Sequence, residues 1–596
     1  MCGISGILTK NNYDKNLKSR IDLMIENLNH RGPDFKETIV DNNFNIALGH
    51  SRLKIIDLSA KANQPMICNE NRFILTFNGE IYNFKEIKAC LNYNFKSNSD
   101  SEVIIASVKL KGIDWFLNNA NGMFAFAIFD KKEDKLILAR DRFGIKPLYY
   151  FKEKETMVFS SETSSIFASG LVKREVRRES FNEYLAYRHI RAPYSFFENV
   201  FQVLPAEYIV FQGNKTHKVK YWDLPSEFNT SEDFDEKIVL EEFENLINKS
   251  IELRTLSDVT LGSYLSGGVD SSLITSILSK KNELLNTYSI GFEENNEFEF
   301  SNLVANKLKT NHHEIKISKK EYFDLWSDLI SKKNAPLGVP NEVPLYKMSE
   351  VLKNKITVVL SGEGADELCG GYGRIFRTDL EYKKNKSKQS FIDFFISKYE
   401  YIPNYQRGLL LGNILSTNNL NDQDIKFNSN LEFIFRFFYK NHIGGLLERL
   451  DFTTMMWGVE ARVPFLDHKL VEYSFKSIPS SIKLKWKSEK AKQQASLLSP
   501  ELYSEILDIP KYPIRKIAYK YLPKKIIERK KVGFPVPLDS WKIDLNNKSE
   551  EILKDSSIID FKNVKKQLNN GLDYQGLWML INLEQFYRNQ QKNKLW

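Results

Sequence analysis

A chain of 596 residues is too long for a single hydrophobic core, so two or more domains are expected. Hydrophobic residues at 42% and charged residues at 27% are ordinary for a soluble globular protein, and no apolar run nears the roughly 20 residues that cross a bilayer. The net charge of +9 comes from dispersed lysines with short basic runs at residues 383–388 and 529–531, without interleaved aromatics, which points to a solvated surface rather than nucleic-acid binding.

The first strand-like run starts at Cys2, which leaves no room for a basic leader, and the four cysteines (Cys2, Cys68, Cys90, Cys369) are too scattered for a disulfide framework or zinc site. A cytoplasmic protein with no membrane partner is the expectation. Short β-type runs at residues 2–8, 73–77, 124–129, 135–139 and 157–160, with a helix over 17–28, predict an α+β first domain of layered antiparallel sheets flanked by helices. It covers residues 1–212. Residues 213–235, with Pro225, Ser226, Asn229 and several acids, read as a linker. Beyond it a helix over 237–253, a strand over 260–265, a helix over 271–278 and a strand over 355–360 alternate. That pattern predicts an α/β domain with a parallel sheet over residues 236–596, ending in a helical part.

A small second residue favours removal of Met1, which would leave Cys2 with a thiol and an α-amine of ordinary pKa about 7.7–8.0 in one residue: a nucleophile and its base. Met-Cys alone carries little weight. In the same half follow "HRGPD" at 30–34, "GHSRLKIID" at 49–57, "FNGEIYN" at 77–83, "SDSE" at 99–102, "NGMFAFAIFD" at 121–130 and "ARDRFGIKPLYY" at 139–150. In order and spacing this series resembles the class II, N-terminal-nucleophile glutamine amidotransferases. Attack on the glutamine amide creates an oxyanion, for which Asn78 and Gly79 can supply donors. Arg52 suits the substrate carboxylate, and Glu80 and Asp100 its ammonium. The resemblance implies glutamine binding at Arg52, Leu53, Lys54, Ile55, Ile56, Asn78, Gly79, Glu80 and Asp100. Taken singly, Arg52 could be a surface ion-pair former, Asn78-Gly79 a hairpin turn and Asp100 a helix cap.

"SGGVDSS" at 266–272 joins a strand to a helix through a Gly-rich turn, a ready anion site, but no Gly-Lys-Ser/Thr follows as in a Walker A loop. It resembles the pyrophosphate loop of ATP pyrophosphatases, the adenine nucleotide hydrolase-like fold. "VVLSGEGADELCGGY" at 358–372 repeats the strand-and-turn logic, and Asp366 can join Asp270 in holding Mg²⁺ beside phosphate oxygens. With "WGVEARVPFLD" at 457–467 and "KYPIRK…RKKVGFPVPLDSW" at 511–541, this half resembles the synthetase domain of glutamine-hydrolysing asparagine synthetase. That implies ATP contacts at Leu265, Ser266, Gly267, Gly268, Asp270, Ser271, Ile290, Ser361 and Gly362, and Mg²⁺ at Asp270 and Asp366. It also implies roles for Glu363 in forming the acyl-adenylate and for Lys511 in steadying charge, although Lys511 could be a solvated lysine after Pro510.

The resemblance implies that glutamine, ATP and a carboxylate acceptor are the small-molecule partners, with aspartate the leading acceptor and AMP and pyrophosphate the nucleotide products. Many asparagine synthetases read Asp-Pro-Ser-Ala-Ile-Pro before the second ATP block; here "PLGVPNEVPLY" at 336–346 departs, which leaves room for another carboxylate such as a sugar uronic acid. Arg462 is a candidate for the acceptor's spectator carboxylate and Glu460 for its amine, or the two form a structural ion pair. RNA-modifying adenylating enzymes share the "SGGxDS" loop but would not need Cys2, Asn78 and Gly79. A degenerate regulatory protein would not need Cys2, Asp270, Glu363 and Asp366. His312, His313 and Glu314 lack a third metal ligand at useful spacing, since adjacent strand residues face opposite ways. The oligomeric state stays open, a homodimer included.

Overall fold

The computed structural model describes residues 2–9, 14–281, 284–385, 389–412, 425–533 and 536–593. Met1, residues 386–388 of one basic run, and Phe534 and Pro535 of the 511–541 block lie outside the described residues.

The first half contains β1 (Gly3–Thr9), β2 (Phe35–Asp41), β3 (Ile46–Arg52), β4 (Met66–Ile67), β5 (Phe73–Ile81) and β6 (Gly122–Asp130). It continues with β7 (Lys135–Arg140), β8 (Tyr149–Glu153), β9 (Thr156–Ser160), β10 (Val200–Gln202), β11 (Glu207–Gln212) and β12 (Lys215–Lys220). Two six-stranded antiparallel sheets result, ordered β10-β8-β9-β1-β3-β2 and β12-β11-β7-β6-β5-β4. The β6 sequence shows why they stack. Ala125, Ala127 and Phe129 join Ile4, Leu48 and Phe159 of the other sheet in one cluster. Phe124, Phe126 and Ile128, on the opposite face, pack with Val103, Ile104 and Phe116 of the helices Asp100–Lys111 and Ile113–Asn119. Period-two alternation with both faces apolar suits a strand between two layers, each buried Phe contributing roughly 1.5–3 kcal/mol. The helix Leu17–Glu26 covers the far side of the first sheet with Ile21 and Met24, which completes helix–sheet–sheet–helix layering.

The second half is built on β13 (Leu261–Tyr264), β14 (Asn286–Phe292), β15 (Asn311–Ile317), β16 (Val358–Leu360) and β17 (Glu460–Arg462), all parallel and ordered β15-β14-β13-β16-β17. The winding direction reverses between β13 and β16. In open α/β sheets ligands bind outside the carboxyl ends of the strands at such a reversal. Residues 265–268 and 361–364 emerge there. Residues 355 and 356, expected in a strand, instead close a turn: both N–H groups donate to the Leu352 carbonyl, at 2.8 and 3.0 Å. An apolar run without period cannot mark where a ladder begins. Helices dominate from residue 365 onward and end in Tyr574–Asn593, whose Trp578 stacks on Trp326 with ring centroids 5.6 Å apart.

The halves are packed together rather than strung apart. One buried apolar cluster includes Ile7, Tyr82 and Phe143 from the first and Leu273, Val459 and Leu580 from the second. Arg31 donates to Asp451 at 2.8 Å, Asn121 to Asp467 at 2.9 Å, and the Asp57 N–H to Asp258 at 2.9 Å. Of residues 213–235, expected as a linker, 215–220 instead form β12, paired with β11, because their ladder completes the edge of the second sheet. The segment that follows lies on the second half, where the Asn229 N–H donates to the Phe475 carbonyl at 2.8 Å and Arg436 donates to the Pro225 carbonyl at 2.6 Å. Among the described residues no helix is long and apolar enough to cross a membrane.

Candidate active site

At the start of β1, Cys2 is buried, its N–H donates to Asn78 Oδ1 at 3.1 Å and its Sγ lies 3.9 Å from the Leu53 carbonyl. Burial pushes the thiol pKa up, which the chain's positive amino terminus and the Leu53 contact only partly oppose. A thiol so placed needs a base to become nucleophilic. Asn78 and Gly79 lie within β5, opposite Ala125 and Phe124, and are not a hairpin turn. Asn78 Nδ2 is buried without a partner, which leaves it free for an oxygen of a substrate. A Cβ on Gly79 would come 2.1 Å from the Met123 carbonyl oxygen, so only glycine fits.

Arg52 ends β3 and is no surface ion-pair former. Its guanidinium donates to the Ser59 carbonyl at 2.9 Å, to Asn63 at 2.6 Å and to the Asp57 carbonyl at 2.5 Å. Asp100 opens the helix Asp100–Lys111, capped by Ser99, and accepts the Ile81 N–H at 2.9 Å. Burial pushes its carboxyl up to about 6. Burial, then neighbouring Glu460 and Asp100, hold the Glu80 carboxyl well above the usual range, and Glu80 Oε2 has no hydrogen-bond partner. Cys2 feels the charges of Arg52 and Glu80, and Arg52 feels that of Asp100, so the fold brings these groups to one site. Of the remaining segment, Leu53 and Ile55 are buried, Lys54 donates its N–H to Asp34 at 2.8 Å, Ile56 is half-buried, and the Ile55 carbonyl accepts the Asp258 N–H at 2.9 Å. Ile55 thus also ties the halves together.

The loop after β13 is held by its own hydroxyls: Ser266 and Ser271 lie 3.1 Å apart and the Gly268 N–H donates to Ser266 at 3.3 Å. Leu265, Ser266, Gly268, Asp270, Ser271, Ile290, Ser361, Gly362, Glu363, Asp366 and Lys511 all line one cleft of about 1210 Å³. Gly267 does not. With φ +74 it turns behind the loop, where a Cβ would strike Phe300 at 2.5 Å, and its carbonyl accepts Arg529 at 3.3 Å. Lys511 is buried, not solvated. Its Nζ lies 2.6 Å from Asp270 Oδ2 and 2.9 Å from Asp366 Oδ1, and Lys531 Nζ is 2.8 Å from the same Asp366 oxygen. Burial would raise the Asp366 pKa, but Lys511 and Lys531 outweigh it and hold the carboxyl low. Burial disfavours the Lys511 cation, yet Asp270 and Asp366 more than restore it.

These two carboxylates fit a magnesium ion. Asp270 Oδ1 is buried without a partner, and two acidic oxygens completed by substrate phosphates are an ordinary donor set for it. Sequence reasoning missed Lys531, although it lies in the quoted "RKK" run. It also missed Arg449, which donates to Glu363 at 2.5 Å and to Asn341 at 3.3 Å. Nothing in the local sequence signals Arg449.

Arg462 does not line the cleft, and of its two expected roles with Glu460 the geometry favours the structural ion pair over acceptor binding. Fully buried on β17, Arg462 lies 2.6 Å from Glu460 and 3.6 Å from Glu80, and donates to the Arg254 and Leu256 carbonyls at 2.9 and 2.6 Å. Residues two apart on a strand share a face, and this face meets Glu80 of the first half instead of the cleft. His312 Nδ1 lies 2.9 Å from Thr287 Oγ1 and Nε2 3.1 Å from Ser289 Oγ, while His313 stacks on Tyr288. Both side chains are structural.

A family model described as glutamine amidotransferase domain matches residues 1–222, and one described as asparagine synthase matches residues 242–596. The chain is 29% identical over an aligned 602 residues to asparagine synthetase (glutamine-hydrolyzing) 1 of Bacillus subtilis, covering 93% of this chain and 90% of that protein. It is 28% identical over 623 residues to asparagine synthetase (glutamine-hydrolyzing) 3 of the same organism, with 97% and 94% covered. Amidase chyE of Penicillium rubens is 28% identical over 624 residues, with 89% and 91% covered.

Proposed function

This chain belongs to the asparagine synthase family as a glutamine-dependent amidotransferase, and from that premise we propose that it converts L-aspartate, L-glutamine and ATP into L-asparagine, L-glutamate, AMP and pyrophosphate. The observation that carries this reading is the combination, in one closely packed chain, of the Cys2–Asn78 contact with the Asp270–Lys511–Asp366 cluster beside the Ser266 loop.

In the first site the Cys2 α-amine, freed by loss of Met1, takes the thiol proton. The thiolate attacks the glutamine amide carbon while Asn78 Nδ2 and the Gly79 N–H hold the oxyanion. Ammonia leaves, and water hydrolyses the thioester to glutamate. Arg52, Glu80 and Asp100 fix the substrate's carboxylate and ammonium. In the second site an acceptor carboxylate attacks the α-phosphorus of ATP and pyrophosphate departs, its charge met by Lys511 and Lys531. Magnesium, held by Asp270 and Asp366, would supply charge neutralisation at the phosphates. Glu363, oriented by Arg449, faces the forming acyl-adenylate. Ammonia then attacks the acyl carbon and AMP leaves.

A second reading keeps this chemistry but gives the adenylate to a larger carboxylate, such as a sugar uronic acid. Residues 336–346, which depart from the asparagine synthetase pattern, support it. Purified protein with Mg-ATP, ammonium and saturating aspartate should release pyrophosphate and yield asparagine on chromatography. Pyrophosphate from a sugar acid but not from aspartate selects the second reading, and ADP with phosphate as products overturns both. Cys2→Ala should lose glutamine-dependent synthesis and keep the ammonium-dependent reaction. Loss of both in a folded protein would refute the division of labour.

A further inference from the structure

Among the described residues the Arg188 guanidinium of the synthetase cleft has no carboxylate within ion-pair distance. Arg188 ends the helix Glu179–Tyr187 in a left-handed conformation, φ 69°, and lines the cleft with Asn341, Glu363, His442 and Arg449. Its Cζ lies 3.7 Å from the centroid of the Tyr401 ring, and its Nε is buried without a hydrogen-bond partner. Arg449, by contrast, is neutralised by Glu363 at 2.5 Å.

The surroundings are built, not incidental. Tyr401 is fixed by its N–H donating to the Ala186 carbonyl at 3.0 Å, and the Arg188 carbonyl sits so close to Gly338 that a Cβ there would come within 2.6 Å. The 336–346 segment, where the sequence departs from the family pattern, is therefore seated directly on Arg188. Between the helices Asn430–Phe437 and Ile443–Met455 a π-helical turn, Phe438–His442, turns His442 into the cleft. His442 Nδ1 lies 2.5 Å from the Tyr399 hydroxyl, and Nε2 is buried without a hydrogen bond, 3.8 Å from Glu367 Oε1. Burial, then Arg188, His189 and Arg449, depress the His442 pKa well below its usual value.

A guanidinium centred over an aromatic ring can still offer N–H groups for bidentate binding of a carboxylate or phosphate. We propose that Arg188, held on Tyr401, binds a second anionic group of the acceptor, so that the acceptor is a dianion whose reacting carboxylate lies at Glu363. For aspartate this group is the α-carboxylate; a diacid or an acidic sugar with a further negative group meets the same requirement. The assignment rests on the reading of the cleft as an adenylating site but not on aspartate itself.

The test follows pyrophosphate release with free ammonium, on acceptor pairs that differ by one carboxylate: aspartate and β-alanine, succinate and propionate, glutarate and butyrate. Wild type should favour the dianion of at least one pair in kcat/KM by about tenfold or more, the size of one charge-assisted contact. Arg188→Gln should bring that ratio toward one, Arg188→Lys should restore part of it, and Tyr401→Leu, which keeps the charge but removes its platform, should lower it. No dianion preference in wild type, or a preference unchanged in the variants, overturns the assignment. Aspartate inactive while another dianion works defeats the asparagine reading and leaves Arg188 standing. Aspartate active with its ratio to β-alanine unchanged in Arg188→Gln does the reverse.

Discussion

Asp100 is needed charged if it is to meet a substrate ammonium, yet burial pushes its carboxyl up to about 6. In the free enzyme the carboxyl is neutral below that value and ionised above it. The kcat/KM for glutamine hydrolysis should therefore fall as pH drops through about 6. Asp100→Asn should remove that limb and lower the plateau by about ten- to a hundredfold, as read from glutamate release across pH. Stability runs the other way: the native chain holds this proton more tightly than an unfolded chain with the ordinary value of 3.8, so rising pH costs stability between 3.8 and about 6. The residues legible in sequence were those whose chemistry demands an unusual type in a marked setting: Cys2 at the chain start, Asn78 before Gly79, Asp270 in a Gly-rich turn. Arg449 and Lys531 were not, because each gains its meaning from a partner far away in sequence: Glu363, 86 positions off, for Arg449 and Asp366 for Lys531.

At the level of elements, the two strand-to-helix turns are shaped by neighbours as much as by their own residues. Gly371 shows this: a Cβ there would come 1.7 Å from Asp366 Oδ1, so the glycine is required by the carboxylate. Gly371→Ala should displace Asp366 by about an ångström and cut ammonium-dependent pyrophosphate release by roughly a hundredfold, with glutamine hydrolysis retained. A variant with full adenylation would show that Asp366 need not hold this position. The alternation of strand and helix predicted the parallel sheet because period and length survive in the sequence. The start of β16 did not, since Lys355 and Ile356 are claimed by the turn after Leu352. Helices past residue 365 were foreseen only as a helical part, for their apolar faces answer one another and not a local pattern.

For the molecule as a whole, the buried pair on β17 decides more about cohesion than about chemistry. Arg462→Ala removes the guanidinium that Glu460 and, across the interface, Glu80 share, which should cost up to about 3–5 kcal/mol and lower the denaturant midpoint. An unchanged midpoint would mean that the interface relaxes around the loss. Sequence spacing places Glu460 and Arg462 on one strand face but does not say what that face meets. That is a property of how two sheets dock, and it put the pair behind the glutamine site instead of beside the acceptor.

The apolar cluster that runs from Ile7 through Tyr82 to Leu580 has a consequence for how the protein can be divided. Fragments parted between residues 229 and 235 would not become two independent enzymes. Each would expose a cut apolar face, and one would carry Arg31 while the other kept Asp451. Noncovalent adhesion, not the connecting strand of chain, is what makes a single machine of the two chemistries, and a nicked molecule would remain one particle.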